Sequence, residues 1–177
     1  MINRRNLIKS TTITAAALLS GCQRFTNQKR ALSGLSAAFE GQFRFGTSIK
    51  NNTLQSNDTN LLTLIAKEFN AITANNAMKW EGLQPKLNEF NWQIADKFID
   101  FGQQNNMQIT GHVLVWHKQT PNYVFIKDDK MISKKSLLQR MERHISKVME
   151  RYKKVTEWDV VNEAIVGGKW LESEWFK

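Results

Sequence analysis

The chain has 177 residues, 41% apolar, 10% aromatic and 23% charged, with two prolines and nine glycines, a balance that excludes disordered and collagen-like chains. Its longest apolar run, residues 13–19, falls short of the roughly 20 residues a spanning helix needs, so no internal transmembrane segment is expected. The formal charge of +9 is uneven: Arg4, Arg5 and Lys9 supply three units, and residues 127–154 carry ten Lys and Arg against four Asp and Glu. A basic excess confined to one amphipathic segment reads as a solvated helix face in preference to a nucleic-acid-binding surface, and no nucleic-acid partner is expected.

Residues 1–21 read as a targeting segment and not as fold. A basic start, Asn3-Arg4-Arg5-Asn6-Leu7-Ile8-Lys9, leads through an apolar stretch to Leu19-Ser20-Gly21-Cys22. The paired arginines resemble a twin-arginine export signal, and the run into Cys22 resembles a bacterial lipobox. That resemblance implies an exported lipoprotein, membrane-anchored in the periplasm or at the cell surface, with Cys22 as its lipidated first residue. Residues 22–36, polar and basic, then serve as a tether. As Cys22 is the single cysteine, no internal disulfide is expected.

From residue 37 short apolar runs alternate with helical patterns, the signature of βαβ units and a parallel sheet. A first strand is expected near residues 43–48. Asp58 can cap a helix whose apolar face is Leu61, Leu62, Ile65 and Phe69. A second strand near 70–74 is followed by a helix over 94–105 that turns Ala95, Phe98, Ile99 and Phe101 inward, and by a third strand over 108–115. Ser133 caps the basic helix over 134–151, with Leu137, Leu138, Met141, Ile145, Val148, Met149 and Tyr152 as its apolar set. His144, among the basic residues, is expected to be solvated. A fourth strand spans 155–161, giving four strands and three crossovers.

Chemistry in such a sheet gathers past the strand C-termini. Three polar and aromatic clusters fall there: residues 75–80, residues 112–121, and Asn162-Glu163. With Trp80, Trp92 and Trp116 they suggest a sugar site, where indole faces stack on pyranose rings and amides bind hydroxyls, although any one of these tryptophans taken alone is more often a core residue. His112 and His117 point to opposite faces of a strand and have no acid or cysteine at ligand spacing, so neither a metal nor another cofactor is expected.

Four motifs in order resemble the family-10 glycoside hydrolases, chiefly endo-1,4-β-xylanases: Phe45-Gly46-Thr47-Ser48-Ile49; Phe69-Asn70-Ala71-Ile72-Thr73 with Asn76-Ala77-Met78-Lys79-Trp80; Gly111-His112-Val113-Leu114-Val115-Trp116-His117-Lys118-Gln119-Thr120-Pro121; and Trp158-Asp159-Val160-Val161-Asn162-Glu163-Ala164. The resemblance implies an α/β fold, a (β/α)8 barrel of which residues 37–177 cover about strands one to four. It implies hydrolysis of xylan or xylo-oligosaccharides with retention at the anomeric carbon, and it brings in no obligate protein partner. By resemblance Glu163 is the general acid/base and Asn162 binds the sugar's 2-hydroxyl. Asn76 and Lys79 correspond to glycone-binding positions, and His112, Trp116 and Gln119 line the subsite beside the scissile bond.

Two departures stand out. Asn75 occupies a position where the family usually has glutamate, implying weaker glycone binding. A retaining enzyme also needs a second carboxylate about 5–5.5 Å from the first, and the resemblance puts it on a seventh strand, after Lys177. Glu172 and Glu174 do not fit the role, since they lie in a run that looks like the approach to a fourth helix. The chain is therefore expected to be a truncated form, inactive alone. The alternative is a non-catalytic carbohydrate-binding surface lipoprotein.

Overall fold

The computed structural model describes residues 34–176; the targeting segment, Cys22 and most of the tether lie outside them. After a short helix α1 (Leu35–Ala38) come β1 (Gly46–Ile49), α2 (Asn51–Gln55), α3 (Thr59–Glu68), β2 (Ala71–Ala74), α4 (Trp80–Leu83), α5 (Gln93–Gln104) and β3 (Gln108–Trp116). A 3-10 turn (Asn122–Val124) and a small hairpin, β4 (Ile126–Lys127) with β5 (Lys130–Met131), precede α6 (Lys134–Arg151) and β6 (Glu157–Asn162). A second hairpin, β7 (Ile165–Val166) with β8 (Lys169–Trp170), follows.

Both expected caps form. The Asp58 carboxylate accepts from the Leu61 amide at 3.0 Å, and the Ser133 hydroxyl accepts from the Ser136 amide at 3.3 Å, each satisfying an amide that the helix itself leaves without an acceptor. The four strands make one parallel sheet in the order β1-β2-β3-β6. Helices α3, α5 and α6 turn their apolar stripes toward it. Ile65, Phe98, Ile99 and Val148 are thus buried with Ile72, Ile109 and Leu114 in one core, where close packing is the main stabilising contribution.

Two glycines set the approach of the layers. A Cβ on Gly102 of α5 would lie 2.6 Å from Ile109 Cδ1, and one on Gly111 of β3 would lie 2.2 Å from the Trp158 ring. Gly111 and Trp158 are register partners across β3 and β6, so the missing side chain is where the indole rests. Among the described residues β6 has a neighbour on one side only, and its Val160 and Val161 are 55% and 57% exposed.

Several expectations shift. The first strand begins at Gly46 and the fourth at Glu157, each a few residues late. Residues 170–176 finish the second hairpin and turn, with no helix among the described residues after β8. On α6, Leu138 and Met149 are exposed and His144 is buried. At roughly 100° per residue the stripe runs through 137, 141, 144, 148 and 152, leaving 138 and 149 on its edge; the basic neighbours of His144 disguise its inward position.

Candidate active site

The register of the sheet assembles the site. Trp116, the last residue of β3, pairs with Asn162, the last of β6, so Glu163 leaves the sheet beside the Trp116 indole. Glu163 sits at φ 53°, a left-handed backbone that costs a non-glycine residue roughly 1 kcal/mol. Trp116 Nε1 donates to Glu163 Oε2 at 2.9 Å. His117 Nε2 and Lys118 Nζ lie 3.7 and 3.8 Å from the same oxygen. The indole bond, with smaller help from Lys118, His117 and Lys79, holds the Glu163 carboxyl below the usual carboxylate range. Glu163 remains largely open to solvent.

A second cluster joins the first through Trp116. Lys79 Nζ donates to Asn76 Oδ1 at 2.9 Å and to Gln119 Oε1 at 2.8 Å, and stands 4.5 Å from the centroid of the Trp116 ring. Only 8% exposed, the Lys79 amine is lowered by burial, an effect opposed by the charge of Glu163. Asn76 Nδ2 in turn donates to Asn75 Oδ1 at 3.0 Å. Asn75 thus orients the neighbouring amide, whose oxygen is turned to the lysine.

The structure therefore brings Asn76, Lys79, Trp116, Gln119 and Glu163 into one constellation. Asn162 lies beside it, lining with Trp116, Glu163, Trp170 and Trp175 a cleft of about 370 Å³. His112 lies further back along β3, its Nδ1 2.8 Å from Asp159 Oδ2. Asp159 is a partner that reading along the chain misses, because only the parallel register sets residue 112 opposite residue 159. Each histidine of this region contacts its own carboxylate, Asp159 for His112 and Glu163 for His117.

Of the three tryptophans, Trp80 and Trp92 take the core reading. Trp80 is 2% exposed and lies flat on His144, 3.9 Å between centroids; Trp92 stacks on Phe90 and carries the Arg151 guanidinium. Large aromatics at helix starts were claimed by the core.

The family model described as glycosyl hydrolase family 10 covers residues 34–177. Endo-1,4-beta-xylanase A of Halalkalibacterium halodurans is 41% identical over 160 residues, 82% of this chain and 40% of that protein. Endo-1,4-beta-xylanase 1 of Gibberella zeae is 42% identical over 141 residues, 78% of this chain and 38% of that protein. Among solved structures, a GH10 endoxylanase retrieved from a sugarcane soil metagenome superposes with TM-score 0.77 at 44% identity, covering 81% of this chain and 44% of that one. The chain spans about 40% of the length of these curated relatives.

Proposed function

The chain belongs to glycosyl hydrolase family 10, its four parallel strands being part of a (β/α)8 barrel, and on that premise we propose that it serves retaining hydrolysis of the β-1,4-linked xylan backbone. The observation that carries the reading is the Trp116–Glu163 contact at neighbouring strand ends, next to the Lys79 cluster. Curated relatives named endo-1,4-β-xylanases support xylan as the substrate.

In the proposed first step Glu163, protonated, gives its proton to the glycosidic oxygen as the anomeric C–O bond breaks, and a second carboxylate attacks the anomeric carbon. In the next step Glu163, now ionised, takes a proton from the water that displaces that carboxylate. Asn162 binds the 2-hydroxyl, Asn76 and Lys79 hold the glycone, and Trp116, His112 and Gln119 line the sugar beside the bond. We assign the nucleophilic carboxylate to a part of the barrel outside these 177 residues. Its negative charge about 5–5.5 Å away would raise the Glu163 carboxyl, offsetting the indole and the cations that now keep it ionised. Formation of the glycosyl ester then removes that charge, and Glu163 becomes a base.

We also place the chain at a membrane through a lipid on Cys22, the reading supported by Leu19-Ser20-Gly21-Cys22. Fractionation of cells making the Cys22→Ala form tests it: the protein is expected to move to the soluble fraction, and undiminished membrane association contradicts the anchor.

Binding tests the substrate. Xylotriose added to the 177-residue chain is expected to shift the Trp116 indole N–H resonance in a saturable way, and Lys79→Ala to weaken the effect. An unmoved resonance at high sugar concentration would overturn the assignment.

A further inference from the structure

His144 lies on α6, outside the constellation around Glu163. It is 1% exposed, and its ring is parallel to that of Trp80 within 5° at 3.9 Å. The stack extends through Phe90, 6.2 Å from His144, to Trp92, 4.5 Å from Phe90. His144 Nδ1 is 2.9 Å from Gln84 Oε1, and an amide oxygen accepts, so Nδ1 carries the proton. Nothing in the proposed reaction uses this buried imidazole.

The contacts close a circuit. Trp80 Nε1 donates to the Tyr123 hydroxyl at 3.0 Å, the hydroxyl donates to the Gln84 carbonyl at 2.9 Å, and the Gln84 side chain accepts from His144, which stacks back on Trp80. Arg140, one turn before His144, donates to the Tyr123 carbonyl. A single helix thereby grips the segment after β2, which carries Lys79-Trp80, and the segment after β3, which carries Gln119 and Tyr123. A backbone bond from the Glu81 amide to the Gln119 carbonyl, 2.9 Å, joins the two segments directly.

We propose that His144 is a positioning residue: by stacking on Trp80 and holding Gln84, it fixes the Lys79 amine between Asn76 and Gln119 and over the Trp116 ring. The geometry favours this over plain core filling. Trp80 adjoins Lys79 in the chain, and an amine held by two amide oxygens at 2.8 and 2.9 Å loses both if its backbone turns slightly. An apolar residue would fill the same volume, whereas the Nδ1 donor adds a fixed direction.

The substrate part of the test rests on the xylan reading, so the 177-residue chain is examined by two readouts. Competitive labelling of lysine amines against pH, read by mass spectrometry, reports Lys79 without any sugar, with Lys97 on α5 as internal reference. Xylotriose titration reports binding. His144→Phe keeps the stack and removes the donor; Tyr123→Phe breaks the circuit on its other side. In both variants the Lys79 labelling midpoint is expected to move up, as the amine gains water, and xylotriose to bind about tenfold more weakly. If His144→Phe does not fold, Tyr123→Phe decides. A folded variant whose Lys79 midpoint stays in place overturns the proposal. A shifted midpoint in a chain that binds no xylotriose overturns the substrate reading and leaves the positioning role standing.

Discussion

The indole of Trp116 and the carboxylate of Glu163 meet at 2.9 Å across two neighbouring parallel strands, and this contact is the largest influence on the ionisation of Glu163. Replacing Trp116 by Phe keeps an aromatic ring and removes the donor. The Glu163 carboxyl is then expected to titrate at higher pH, followed by NMR of carbon-labelled glutamate. Lys118→Gln is expected to act in the same direction by less, because an exposed cation is screened by solvent. An unchanged titration in Trp116→Phe would remove the indole from the account.

His144 makes a prediction about stability. Burial pushes its imidazole down from 6.5 to about 3, so the unfolded chain binds a proton that the folded chain refuses. Stability is full above pH 6.5, falls as the pH drops from 6.5 toward 3, and levels off below that. The expected slope is about 1.4 kcal/mol per pH unit, or about 2 kcal/mol between pH 7 and pH 5. Urea unfolding at both pH values, compared with His144→Phe, isolates the contribution. Equal pH dependence in the two proteins would show that His144 is not neutral in the folded state.

Gly111 predicts a steric limit. Alanine there meets the Trp158 ring, so the indole or β6 must shift, at a cost of about 1–3 kcal/mol. Denaturant midpoints measure the loss. Because Trp158 pairs with Gly111 on the strand that ends at Asn162, the Trp116 indole resonance is also expected to move. A variant as stable as the parent would mean that the indole rests elsewhere.

If the nucleophilic carboxylate lies outside these 177 residues, the isolated chain binds xylotriose without turning over xylan. Reducing-sugar release should stay at background in preparations free of host xylanases. Sustained turnover would place a working second carboxylate within the chain.

Much of this was legible from sequence where a local rule had no competitor. Asp58 and Ser133 cap helices because each has a free amide three residues on. Apolar periodicity set α5 and α6 within one residue of the expected limits. Contacts that depend on which strands are neighbours stayed out of reach: Asp159 is invisible as the partner of His112 until residues 112 and 159 are known to be in register. His144 and Trp80 were misjudged for a related reason. Charge around His144 suggested water, and the polar cluster around Trp80 suggested a sugar site, yet the two rings satisfy each other in the interior.

The central claim, that Glu163 moves the catalytic proton, is tested most directly in a complete barrel made by joining residues 34–177 to the second half of a family-10 relative. Glu163→Gln keeps the shape of the side chain and cannot donate the proton. Hydrolysis of xylan, whose leaving group needs that proton, is expected to fall by about 10²–10⁴-fold, while the glycosylation step on an aryl xyloside with a very good leaving group is expected to fall far less. Equal losses on the two substrates in that step would contradict the assignment of Glu163 as the acid.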